Sequence, residues 1–114
     1  MKYSLYPGRF QPFHDGHAAL VKRLIGEGKN VCIALRDTDR DDDNPYSLNE
    51  RIAMIMDRFG LEVKSGKVLV GIIPDIEEIV YGRGVGYAIR QIEMPKETEL
   101  ISGTEIRGKG IENA

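Results

Sequence analysis

The chain has 114 residues, a length that fits one domain able to bury roughly two thirds of the surface its unfolded form exposes. Its 16 Lys and Arg stand against 18 Asp and Glu, a formal net charge of -2, so no global positive field recruits nucleic acid or an anionic membrane, and any anionic ligand must be held locally. The apolar runs are far shorter than a membrane span, "MKYSLYPGRF" lacks the apolar core of a signal peptide, and the one cysteine, Cys32, has no disulfide partner. These features predict a soluble, cytoplasmic protein with no membrane and no nucleic-acid partner, in which Cys32 is a buried structural thiol.

In chain order, "KYSLY" (residues 2–6) is rich in aromatic and apolar residues and is stopped by Pro7-Gly8, which predicts a first strand. A helix is expected from about Gly16, because Leu20, Val21, Leu24 and Ile25 share one face and Gly26 and Gly28 mark its end. "NVCIAL" (residues 30–35) is continuous and apolar, as in a strand covered on both faces. The polar loop "RDTDRDDDNPY" follows. Ser47 then stands three residues before Glu50, a capping box ahead of Ile52, Ile55, Met56 and Phe59 at i, i+3, i+4 and i+7. "KVLVGII" (residues 67–73) predicts a third buried strand, and "EIVY" and "YAIRQIE" two shorter ones either side of "GRGVG". "GRGVGY" looks only superficially like a dinucleotide loop, since no amphipathic helix follows; a tight connection is expected.

Strand and helix alternate, which implies right-handed βαβ crossovers and a mainly parallel sheet flanked by helices, an α/β, Rossmann-like single domain over residues 1–114. Loops leaving the carboxyl ends of the first two strands then open on one edge, where such sheets bind ligands. "GRFQPFHDGH" (residues 8–17) lies on that edge and holds both histidines of the chain. His17 falls in the first turn of the first helix and His14 just before it. Backbone N–H groups and the positive end of the helix dipole gather there, so two imidazole donors added to them make a phosphate cradle. Gly16 keeps side-chain bulk away from the approaching phosphate, and Pro12 stiffens the loop. His-x-x-His alone reads rather as a structural cap or a chance pair, with a metal pair as a further option, although a lone zinc site lacks the further Cys or His ligands it needs.

The complete string resembles the nucleotidyltransferases that carry His-x-Gly-His after the first strand of a Rossmann-like sheet, here His14-Asp15-Gly16-His17. It looks most like the archaeal-type nicotinamide mononucleotide adenylyltransferases. "ISGTEIR" (residues 101–107) is similar to their C-terminal Ser/Gly-Thr-x-x-Arg segment, and "NPYSLNER" and "IIPDI" add further echoes. On its own chemistry, Ser102 and Glu105 have capping-box spacing, and Thr104 and Arg107 near the same helix start suit the outer phosphates of a nucleotide.

The resemblance implies in-line attack on the α-phosphate of a nucleoside triphosphate with release of pyrophosphate, assisted by Mg²⁺. It assigns His14 and His17 to the α- and β-phosphate oxygens, Arg9 and Arg107 to the triphosphate, and Ser102 and Thr104 to its outer phosphates, with Gly8, Phe10 and Gly16 completing the nucleotide-binding loop. Arg9 favours the adenylyltransferase branch over the cytidylyltransferases of small phosphorylated alcohols. A nucleotide-binding module without turnover is the alternative from a different class. Arg51 corresponds to an arginine near the acceptor's phosphate; otherwise it is a surface helix residue paired with Glu50 or Asp57. The aspartate-rich loop reads as a solvated loop or a weak Mg²⁺ gatherer.

The chain departs from the resembling family in two places. Almost nothing stands between "IIPDI" and "EIVYG", where those enzymes carry a helix that grips the acceptor, and the helix after the second motif is nearly absent. The acceptor is therefore expected to be a small phosphorylated molecule that need not be nicotinamide mononucleotide, and a homo-oligomer is expected to cover the open flank.

Overall fold

A computed structural model of the chain describes residues 1–84 and 86–93. Three strands and two helices alternate: β1 (Tyr3–Gly8), α1 (Asp15–Gly26), β2 (Asn30–Asp37), α2 (Leu48–Lys64) and β3 (Val68–Pro74). The sheet is wholly parallel in the order β1-β2-β3, with Leu5 opposite Cys32 and Cys32 opposite Leu69. The fold is α/β and Rossmann-like, as expected.

β1 runs through Pro7 and Gly8, two residues further than the sequence signal. Among the described residues β1 has a neighbour on one side only, and an edge strand tolerates a proline that cannot donate to a ladder. The opposite error occurs after β3. Residues 78–81 and 87–93 form no strand, although their β-branched and aromatic content suggested two. Strand propensity becomes a strand only where the backbone finds a neighbour to pair with; here side-chain contacts dock the segment instead. Arg90 donates to Glu27 at 2.7 Å, Arg23 donates to the Glu93 carbonyl at 3.2 Å, and Ile92 packs against the core.

The core lies between the helices and one face of the sheet. Ala18, Val21 and Leu24 of α1 and Ile55 and Phe59 of α2 close over Val31, Ile33, Leu35 and Val68. On the other face, the registered row Leu5, Cys32, Leu69 is exposed at both ends and half-buried at Cys32. Cys32 is therefore less buried than its apolar neighbours suggested, though desolvation still pushes its thiol pKa up.

α2 begins on the expected capping box, with the Glu50 N–H donating to Ser47 Oγ at 3.1 Å and the Ser47 N–H donating to Glu50 Oε1 at 3.0 Å. Its buried row is Arg51, Ile55 and Phe59, spaced i, i+4, i+8, while Met56 is exposed. A periodicity count treats arginine as polar and so rotates the apparent apolar face away from Arg51. Phe59 itself leaves helical geometry (φ -125°, ψ 23°) and kinks the helix just before Gly60.

Candidate active site

The loop from Arg9 to Phe13 carries the chain from the end of β1 to the cap of α1. Phe10 occupies the left-handed region at φ 51° and is wholly buried. For a bulky side chain that backbone costs on the order of 1–2 kcal/mol, offset by packing: its ring meets Tyr6, Phe13 and His17 edge-on at centroid distances of 5.2, 5.4 and 4.9 Å. Phe13 stacks on His17 at 5.6 Å and meets Phe59 of α2 at 6.2 Å. Phe10, expected in the nucleotide loop, thus supports that loop from beneath. The kink in α2 delivers Phe59 to the same aromatic cluster.

Of the readings the sequence left open for the two histidines, the structural cap is the one that the geometry displays. His14 is the N-cap of α1 and His17 its third residue, and together they form a capping box built from imidazoles. The Gly16 N–H donates to His14 Nδ1 at 3.0 Å, and the His14 N–H donates to His17 Nδ1 at 3.1 Å. The rings stack face to face, 3.7 Å between centroids. Because each Nδ1 accepts, each neutral ring carries its proton on Nε2. His17 Nε2 is buried and has no hydrogen-bond partner among the described residues. Burial, then the neighbouring His14, then Arg58 lower the His17 pKa to about 2, so the ring is a neutral donor throughout the physiological range. A buried N–H donor left open beside a helix N-terminus suits an anionic oxygen.

Gly8 ends β1 opposite Leu35. Arg9 follows it, half-buried, and donates from Nη1 to Asn44 Oδ1 at 3.2 Å. Asn44 is held in turn by Asp41 Oδ1, which accepts from its backbone N–H at 2.8 Å and from its side-chain amide at 3.0 Å. Asp41 therefore organises a turn. Among the described residues no three His, Cys, Asp or Glu side chains converge as a metal site, so the aspartate-rich loop does not fit as a protein cage for Mg²⁺.

Arg51 is 1% exposed, not a surface residue paired with Glu50 or Asp57. Its Nη1 donates to the carbonyls of Arg9 and Arg36, both at 2.8 Å, and its Nε to the Ser47 carbonyl at 3.3 Å. Asp15 pairs across the helices with Arg58 at 2.6 Å, and Asp75 of "IIPDI" pairs with Arg36 at the end of β2 at 2.7 Å. Ser102, Thr104 and Arg107 lie outside the described residues. Gly8, Arg9, Phe10, His14, Gly16 and His17 are brought together at the carboxyl edge of the sheet. Sequence reasoning missed Gln11, Asn44 and the aromatic support. The two phenylalanines of "GRFQPFHDGH" signalled the last of these, since a polar loop does not need them.

The sequence profile described as Cytidylyltransferase-like matches residues 5–63. The nicotinamide-nucleotide adenylyltransferase of Methanococcus aeolicus is 31% identical over 137 aligned residues, spanning 96% of this chain and 78% of that protein. The protein of the same name from Methanosarcina mazei is 27% identical, over 98% of this chain and 79% of its own length. With that of Methanocorpusculum labreanum, 40% identity is concentrated in 57 residues, 48% of this chain and 34% of that protein. The 137-residue alignment is longer than this 114-residue chain, so the Methanococcus protein carries internal segments that are missing here. No helix follows β3 among the described residues. Since the profile match takes in both the histidine cap and the buried Arg51 row, the chain belongs to the cytidylyltransferase-like family, and its chemistry is nucleotidyl transfer.

Proposed function

We propose that the protein transfers an adenylyl group from ATP to a small phosphorylated acceptor. The observation that carries this reading is His17 Nε2, a buried donor without a protein partner on a ring whose tautomer is fixed by the cap. A phosphate oxygen of the triphosphate accepts from it. An acceptor phosphate oxygen attacks the α-phosphorus in line, the bond to the β-phosphate oxygen breaks, and pyrophosphate leaves with the electron pair. Charge grows on oxygens around the α- and β-phosphates, where the imidazole N–H donors and the N-terminus of α1 act without reorganising. At a pKa of about 2, His17 works by hydrogen bonding and not by giving up a proton. Arg9 supplies the cation beside the triphosphate, and Ser102, Thr104 and Arg107 complete its outer end by the motif they share with the family. Mg²⁺ enters with the triphosphate as its counter-ion.

The relatives' names support ATP, and we assign the segments that this chain lacks relative to the Methanococcus protein to the acceptor side, where "IIPDI" runs almost directly into "EIVYG". A phosphorylated acceptor smaller than a mononucleotide fits that change. Cytoplasmic residence and self-association belong to the same reading.

Thermal unfolding with ATP and with CTP tests the nucleotide: a ligand at a hundred times its Kd adds about 2.7 kcal/mol, and the shift is expected with ATP. Pyrophosphate release is then followed with each triphosphate against nicotinamide mononucleotide, phosphopantetheine, glycerol 3-phosphate and phosphocholine. Turnover with one of the smaller phosphates and ATP is the expected result. Turnover with nicotinamide mononucleotide alone refutes the smaller acceptor. ATP binding with silence across the panel supports a module without turnover.

A further inference from the structure

Two buried polar side chains clasp the β1–α1 loop to the β2–α2 loop from opposite directions. From the first loop, Gln11, 1% exposed, accepts the Tyr46 N–H on Oε1 at 2.9 Å and donates from Nε2 to the Tyr46 carbonyl at 3.0 Å, a two-point contact with the backbone of a single residue. It also reaches Thr38 Oγ1 at 3.4 Å. From α2, Arg51 reaches back under both loops to the Arg9 and Arg36 carbonyls. Arg9 is thus gripped at both ends, by Arg51 at its carbonyl and by Asn44 at its guanidinium.

Such a clasp is costly to build. A buried guanidinium loses its water and recovers the loss only through well-placed acceptors. A hydrophobic residue at position 51 would complete the Ile55–Phe59 row with no such cost, so a purely structural need is met more cheaply without a charge. The guanidinium instead does what a hydrocarbon cannot: it satisfies three carbonyls from three segments, α2's start, the end of β2 and the loop after β1. It binds the carbonyl of Arg9, the residue that the proposed function sets beside the triphosphate.

Resting on the nucleotidyl-transfer reading above, we propose that Arg51 and Gln11 are positioning residues for the triphosphate: they fuse the two loops into one unit and so fix Arg9 and the histidine cap in the geometry that receives the phosphates. Arg51 acts through Arg9 and does not touch the acceptor. The β2–α2 loop becomes part of the nucleotide site without contributing a phosphate ligand of its own.

The test is a double-mutant cycle read as ATP affinity on the intact chain. Arg51→Lys keeps the charge and the stem but cannot serve three carbonyls, and is expected to weaken ATP binding about tenfold, within the range for coupled neighbours. The same change in an Arg9→Ala background is expected to cost less than about threefold, because the group it positions is gone. Gln11→Met, close in volume, keeps the test open if Arg51→Lys fails to fold; it is expected to show the same loss in the wild-type background and the same shrinkage with Arg9→Ala. Equal losses in both backgrounds overturn the proposal. So does a rise in acceptor KM with unchanged ATP affinity, the outcome for direct acceptor contact by Arg51. A wild-type chain that binds no nucleoside triphosphate refutes the nucleotidyl-transfer reading itself, a result separate from either.

Discussion

At the scale of single residues, Nδ1 of each histidine is spent on the cap of α1, and His17 Nε2 is the donor proposed above to meet a phosphate oxygen. His17→Ala is therefore expected to lower turnover by roughly 10² to 10⁴, as for other lost donors to developing charge, and also to cost about 1–3 kcal/mol in stability from the lost cap and ring contacts. Steady-state kinetics beside a denaturant melt separates the two; near-wild-type turnover would remove His17 from the chemistry. Protonation gives a second reading. His17 has a folded-state pKa near 2 against an ordinary 6.5, so below pH 6.5 the unfolded chain takes up a proton that the folded protein refuses. Its contribution to stability is full above pH 6.5 and declines by about 1.4 kcal/mol per pH unit as the pH falls further. His17→Gln keeps a capping partner at the third helical position but does not titrate, so its stability is expected to fall less steeply than wild type between pH 6.5 and 4.5. Parallel slopes for the two proteins would show that His17 already charges in the folded state.

At the scale of elements, α2 is fastened at its start and bent near its end. The Ser47–Glu50 capping box was legible because it depends on two residue types at one local spacing. Ser47→Ala is expected to cost about 1 kcal/mol, measured as a lowered midpoint of unfolding, with ATP affinity unchanged, since Arg51 uses the backbone carbonyl of Ser47 and not its hydroxyl. An equally large loss of ATP affinity would mean that the cap, and not the Arg51 clasp, sets the loop. The kink at Phe59 and the burial of Arg51 were not legible. Both follow from what α2 packs against, Phe13 at Phe59 and, at Arg51, the carbonyls of Arg9 in the β1–α1 loop and Arg36 at the end of β2.

At the scale of the whole molecule, two groups of exposed apolar side chains stand out among the described residues. Leu5 and Leu69 flank Cys32 on the face of the sheet away from the helices, and Ile79, Val80 and Tyr81 follow β3. Apolar surface gathered in this way favours association, in keeping with the self-association proposed above. Sedimentation equilibrium at micromolar concentration is expected to return a dimer, and Leu69→Lys, at one end of the first patch, to shift it toward monomer. A wild-type chain that sediments as a monomer across the range would remove the second copy.

What the sequence determined by itself was everything governed by neighbours along the chain. Alternating strand and helix signals, the capping box at Ser47 and the histidine string after β1 rest on spacings of a few residues, and each appears in the structure where the spacing put it. Tertiary structure decided the rest. Whether residues 78–81 and 87–93 became strands depended on a pairing partner, which their composition does not encode. Whether Arg51 was a surface ion pair or a buried clasp depended on three carbonyls, two of them 15 and 42 positions away in the chain. The resting tautomer of His17 follows from the cap, but its lowered pKa depends on burial by Tyr6, Phe10 and Phe13 folding around the ring. Desolvation is a property of the packed whole, and no local spacing reports it.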